Sequence, residues 1–206
     1  MKKIYLAIVT LCTVMTAAAQ QDFSKRLTEA RTAYAAGKLD DARFAMQQLL
    51  QELDIITGKE VLKLLPTKMM DKNAVISSDN VSGASGFAGV LIHREYGTEM
   101  KKGAADSLRN EGIRLEIISN SPLIGTINAL LSLPFIANNP DQKVIKVNGY
   151  KALVTKVSGD DAVKEYELQL PLNNSLVTLR APGYSQDDLV KMANTLPVAE
   201  IAKMIQ

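Results

Sequence analysis

Along this 206-residue chain the spacing of apolar residues changes once, and that change decides the fold class. From Phe23 to Leu65 the apolar positions recur every three or four residues, as a helix face requires. Beyond Lys72 they alternate, as in strands that keep one face wet. A chain of this kind is α+β, with helices first and then a sheet that carries its own covering helices.

Phe23, Leu27, Ala30 and Tyr34 fall on one helical face, and Gly37 stands where a helix C-terminus favours positive φ. Asp40 and Asp41 open a second helix, where their charges favour the N-terminal dipole. Its inner stripe is Ala42, Ala45, Met46, Leu49, Leu50 and Leu53. The short Gly37-Lys38-Leu39 connection makes the pair an antiparallel hairpin. Thr57-Gly58-Lys59-Glu60 matches a capping box and predicts a short third helix carrying Val61, Leu64 and Leu65, stopped near Pro66. The expected organisation is a helical region over 20–66 and an α+β sandwich over 73–206.

Strands are expected at Ala74–Asp79, Phe87–Tyr96 and Ile113–Ile117, with Asn80–Gly86 a Ser/Gly/Asn loop. Ser121-Pro122 caps a helix through Leu123, Ile127, Leu130 and Leu131 that stops at Pro134. Two strands flank Gly149, at Val144–Asn148 and Lys151–Val157. Lys164–Leu170 and Leu176–Arg180 follow, joined through an Asn173-Asn174 turn. Ser185-Gln186-Asp187-Asp188 caps a helix ending near Leu196, and Pro197 starts a last one with Val198, Ile201 and Ile205. The order is β-β-β-α-β-β-β-β-α-α. Short links make the strands antiparallel, and the helices are expected to cover one face of the sheet.

Ahead of this body, Met1-Lys2-Lys3, the apolar run Ile4–Met15 and small residues at Ala17 and Ala19 form the pattern of a secretory signal peptide over 1–19, cleaved before Gln20. The run is too short to serve as a membrane span, so no transmembrane segment is expected after cleavage. Cys12 lacks the small residues that lipoprotein acylation needs before it. Loss of Lys2 and Lys3 leaves 22 basic and 22 acidic residues, a formally neutral chain. Loss of Cys12 leaves no thiol, which suits an oxidising envelope and excludes disulfides and cysteine nucleophiles. The expected location is exported, either periplasmic or secreted. Asn80-Val81-Ser82 and Asn173-Asn174-Ser175 match the glycan acceptor pattern, but the short Lys-Lys signal has a bacterial look.

Chemistry is thinly supplied. His93 is the only histidine, on a strand with no nucleophile elbow, and the chain contains no G-x-S-x-G. The acidic pairs Asp40-Asp41 and Asp187-Asp188 sit at helix starts, and Asp160-Asp161 follows Gly159 in a turn, so none is a metal site. Gly83–Gly89 lacks the Lys-Ser/Thr ending of a phosphate loop. Basic residues do not cluster beyond Lys101-Lys102, which argues against nucleic acid. No catalytic, cofactor-binding or metal-binding residue is assigned.

Ala30, Gly37, Leu39 and Ala42 follow the order and spacing of a single tetratricopeptide unit, which the hairpin resembles, with Met46 where such repeats carry an aromatic residue. No second copy follows. The C-terminal part, through its element order, the Ser121-Pro122-Leu123 helix start and the Ser185–Asp188 cap, resembles the PsbP/DcrB-like group of small exported α/β sandwiches. The whole chain is similar to small exported bacterial proteins with a helical N-terminus and a Leu65-Pro66 hinge before the sheet. These resemblances bring no catalytic residues and imply an accessory or binding role in the envelope.

The expectation is a non-enzymatic interaction module whose partner is another envelope protein. A carrier of a hydrophobic ligand or lipid is the alternative, and a carboxylate-dependent hydrolase stands behind both. An interaction module should expose a continuous apolar patch on the hairpin. Mass spectrometry of the protein recovered from a bacterial envelope should give an N-terminus at Gln20. A mass that retains residues 1–19 would overturn the signal-peptide reading.

Overall fold

The computed structural model describes residues 23–83, 89–97, 112–119, 123–132, 141–157 and 165–205. The signal residues Ala17, Ala19 and Gln20, the Ser121-Pro122 cap, Asp160-Asp161 and Lys101-Lys102 lie outside them. The chain divides into two compact units, Met1–Asp54 and Ile55–Gln206.

The first unit is the helical hairpin. Helix α1 covers residues 23–35 and helix α2 covers Leu39–Leu64. Gly37 closes α1 at φ +73°, and the Lys38 amide donates back to the Ala33 carbonyl at 2.9 Å. That left-handed step satisfies carbonyls the last turn leaves open. Asp40 and Asp41 lie in the first turn of α2, as expected. The core between the helices is small, consisting of Ala30, Ala45 and Leu49 with Phe23 packed against them.

The expected third helix does not exist as a separate element. α2 runs unbroken for 26 residues through Thr57 and Glu60. A capping-box pattern acts only where the chain arrives from outside a helix, and here the preceding residues are already helical. The unit boundary therefore falls at Asp54 and Ile55, inside α2. Gly58 also reads differently in the structure. A β-carbon there would lie 2.7 Å from Val81 Cγ1 and 3.2 Å from Ile92 Cγ1, so its side is pressed against the sheet.

The second unit holds a seven-stranded antiparallel sheet. Its strands follow a small hairpin, β1 (Lys68–Met69) with β2 (Lys72–Asn73), and a 3-10 turn at Ile76–Ser78. The strands are β3 (Asn80–Gly83), β4 (Val90–Tyr96), β5 (Ile113–Ser119), β6 (Gln142–Val147), β7 (Tyr150–Lys156), β8 (Tyr166–Leu172) and β9 (Ser175–Arg180). Their order across the sheet is β3-β4-β5-β9-β8-β7-β6. Two meanders thus meet where β5 pairs with β9. Helix α3 (Leu123–Ser132) lies between β5 and β6 in the chain, and α4 (Gln186–Asn194) and α5 (Val198–Met204) end it.

The strand expected at Ala74–Asp79 is the 3-10 turn, apart from a single bridge between Ala74 and Tyr96, and the strand starts at Asn80, inside the expected loop. Ser78 Oγ bonding to the Val75 carbonyl at 2.8 Å favours the turn over an extended chain.

One face of the sheet carries the main core, with Ile92, Ile113, Leu115, Ile117, Leu168, Leu170, Val177 and Leu179 buried. Val61 and Leu65 of α2, Leu189 and Met192 of α4, and Ile201 of α5 close over it. Against the expectation that all helices share one face, α3 covers the other. Its Ile127 and Leu131 pack with Leu153 and Leu176. The alternation in β7 and β9 explains this, because Leu153 and Leu176 point away from the main core. Ser185 caps α4 in a reciprocal capping box with Asp188, as its sequence implied.

The hinge expected at Leu65-Pro66 is pinned. Arg94, buried on the core face of β4, donates to the Leu65 carbonyl at 3.0 Å and grips both carboxylate oxygens of Asp79. A bidentate guanidinium–carboxylate pair at low exposure fixes position as well as charge.

Gly58→Ala should lower unfolding free energy in urea melts by about 1–3 kcal/mol, because the added methyl has to displace Val81 and Ile92. That sign opposes the gain of roughly 1 kcal/mol that alanine brings at an open helical position. A stabilised variant would refute the close approach of α2 to β3 and β4.

Candidate functional site

Two surfaces hold clustered side chains that a soluble fold does not need merely to fold. The first is on the hairpin. Leu27 and Tyr34 of α1 and Leu39, Met46, Leu50 and Leu53 of α2 are all exposed, from 45% at Leu53 to 65% at Tyr34. At 100° per residue the four α2 side chains share an arc of about 60°. The buried Ala42, Ala45 and Leu49 lie on the adjoining arc, against α1. The Arg26–Glu52 ion pair marks one side of the hairpin, and at 100° per residue Leu27 and Tyr34 lie across Ala30 from Arg26, on the side of these four. The result is one apolar face about 21 Å long and two helices wide.

The inner stripe expected from sequence is therefore split. Ala42, Ala45 and Leu49 are inside, whereas Met46, Leu50 and Leu53 are outside. α1 is one helix wide and covers only half of an apolar arc that spans about 140° of α2. On the opposite side of the hairpin Phe44 overlooks an open groove of about 510 Å³ lined by Thr28, Thr32, Ala33, Ala36 and Gln48. An ion pair between Arg26 and Glu52 ties the two helices together.

The second surface is the part of the sheet's other face that carries polar side chains. Register builds it. One row across the strands runs Asn80, His93, Glu116, Thr178, Gln169, and the next runs Glu95, Arg114, Arg180, Glu167, Thr155. The second row alternates as acid, base, base, acid, so its formal charges cancel. Glu167, although buried, accepts from Arg180 and from Gln169 Nε2 at 2.6 Å. His93 sits between two carboxylates, with Nε2 3.3 Å from Glu95 and Nδ1 3.4 Å from Glu116.

The hydrogen bond with Glu116 raises the His93 pKa above its ordinary 6.5, against desolvation, and Glu95 adds to the rise. The same bond holds Glu116 below its ordinary 4.5, again against desolvation. Both ring nitrogens face a carboxylate, so once protonated the imidazolium donates on both sides and keeps no free lone pair. The arrangement is suited to holding strands in register across the sheet.

The other residues singled out in the sequence are placed as follows. Asp40 and Asp41 stand at the start of α2, and Asp187 and Asp188 at the start of α4, where Asp188 also pairs with Lys191 at 3.0 Å. The hydrogen bond from Ser185 lowers the Asp188 pKa. No group of three His, Cys, Asp or Glu among the described residues is arranged to hold a metal. No helix among them is long and apolar enough to cross a membrane. Of the Gly83–Gly89 stretch, Gly83 ends β3 and Gly89 precedes β4. Sequence reasoning missed the cross-strand rows, since alternation shows which residues share a face but only register shows which of them meet. No family model, no curated protein and no solved structure matches the chain.

Linkage sets the pH window of the His93 cluster. His93, with a raised folded pKa, contributes fully below pH 6.5 and loses its contribution as pH climbs through the folded value. Glu116, with a lowered one, contributes fully above 4.5 and loses it as pH falls through its folded value. The stability gap between the protein and His93→Gln should therefore be widest at about pH 5–6 and shrink by pH 9. A gap that is the same at every pH would show that the pairing is not ionic.

Proposed function

We propose that this protein is a non-enzymatic interaction module of the bacterial cell envelope, with the apolar hairpin face as its docking surface. The observation that supports this most is the set of six large side chains exposed on one face of the hairpin, outside the small core described between its helices. A lone two-helix unit gains little from burying mainly alanines, and helices in water depend on tertiary packing of their apolar faces. Helical-repeat units reach stability by stacking neighbours on such faces. Covering side chains that are half exposed releases about 1 kcal/mol each, so the face gains several kcal/mol from a partner.

Export supplies the setting. The signal-like segment over 1–19 and the absence of cysteine after it fit a periplasmic or secreted module. The likeness of Ala30 and Ala42 to tetratricopeptide crossing positions supports the same reading, because both are buried. A lipid carrier would need its ligand enclosed, and the groove described among the hairpin residues, beside Phe44, is open.

A photoreactive side chain at position 50 should crosslink to protein in intact cells, and one at position 143 on edge strand β6 should not. Native mass spectrometry of the purified chain should find no lipid at stoichiometric level. Failure to crosslink from position 50, or a lipid retained one per chain, would overturn the reading.

A further inference from the structure

We propose that the hairpin face is closed by a second copy of this chain, with the two α2 helices antiparallel across a two-fold axis. This inference rests on the reading of that face as a docking surface and names its occupant.

The spacing of the exposed stripe comes first. Leu39, Met46, Leu50 and Leu53 are separated by seven, four and three residues, the 3-4 rhythm of a coiled-coil seam. Arg43 occupies the remaining seam position between Leu39 and Met46. Turned antiparallel about its midpoint near residue 48, the stripe is self-complementary. Met46 of one copy meets Leu50 of the other, twice, and Leu53 meets the aliphatic stem of Arg43, twice.

Charge fixes the same register independently. Arg43 and Asp54 lie three turns apart on the outer margin of the stripe, at almost the same azimuth. Neither has an ion-pair partner among the described residues. Arg43 is exposed, and Asp54 is half-buried with its carboxyl pushed above the ordinary 3.8 by desolvation alone. In the antiparallel register that packs Met46 on Leu50, Arg43 of each copy falls beside Asp54 of the other. An isologous interface needs this reciprocity, and one acid and one base placed symmetrically about the seam's centre provide it.

The product also solves the geometrical problem of the hairpin. Two helices enclose no interior, but two hairpins face to face make a four-helix bundle. Leu27 and Tyr34 of each copy then flank the central α2 pair, and twelve large apolar side chains leave water together. A partner of another sequence would gain the face too, but nothing would then require Arg43 and Asp54 to stand symmetrically about Met46 and Leu50.

The test uses the full chain secreted by an expressing bacterial host, with sedimentation equilibrium as the readout and circular dichroism as a control for folding. The chain should sediment as a dimer that dissociates on dilution. Arg43→Asp and Asp54→Arg should each weaken the dimer about tenfold or more, while the combined R43D/D54R chain should return to within about threefold of the parent. Leu50→Glu should abolish it, and if that variant loses helix the charge exchange decides alone. A monomer at about 100 µM would overturn the proposal, as would single reversals without effect or a combined variant no better than either one. A monomer that still gives a mixed adduct from position 50 overturns self-pairing and leaves the docking reading intact. A monomer with no adduct overturns both.

Discussion

Helix α2 carries apolar side chains along its whole length, and the surroundings that bury them differ from one end to the other. From Ile55 onward it lies on a finished sheet, where Val61 and Leu65 are buried and even a β-carbon at Gly58 has no room. Up to Asp54 its neighbour among the described residues is α1, and Met46, Leu50 and Leu53 on half of its apolar arc are exposed. α2 is continuous over Leu39–Leu64, and in the first unit its apolar stripe is wider than the single described helix packed on it.

The sheet answers the same problem more fully. Its main core face is covered by α4, α5 and the end of α2, and Arg94 locks the chain leaving α2 to β4 through Asp79 and Leu65. That lock matters because the turn through Ile76–Ser78 contributes no buried residue of its own. On the other face α3 covers Leu153 and Leu176, and the rows through His93 and Glu95 carry polar side chains. The edges are treated in the same spirit. β3 is four residues long, and β6 carries Lys143 and Lys146, which discourages pairing with another sheet.

What could be read in the sequence was whatever is decided locally. Alternation at Ile113, Leu115 and Ile117, the Asn173-Asn174 turn with Asn173 at φ +49°, and the reciprocal box at Ser185 and Asp188 all appear where their residues implied, whereas Asn148, read as the end of a strand, stands in the turn at φ +47°. The errors arose where a local pattern met a longer-range packing demand. Thr57 to Glu60 resembles a helix start, but Val61 and Leu65 reach the core only if the helix continues through it. Ala74 to Asp79 alternates well enough for a strand, but Asp79 is drawn to Arg94, fifteen residues further on. The six side chains on the exposed face of the hairpin were legible as apolar and not as exposed, since the width of the covering helix cannot be read from α2 alone. His93 between Glu95 and Glu116 needed the β4–β5 register, which no single strand contains.

The two surfaces differ in what a partner would gain by covering them. The polar rows on the sheet are already paired, with Glu167 held by Arg180 and Gln169 and His93 by two carboxylates. Burying them further would strip water from charges whose mutual attraction is already realised, and the desolvation penalty would outweigh what remains to be gained. The hairpin face presents the reverse case. Its leucines, methionine and tyrosine are exposed, and Arg43 and Asp54 at its margin have no ion-pair partner among the described residues. The proposed association therefore follows free energy to the hairpin and leaves the sheet face wet.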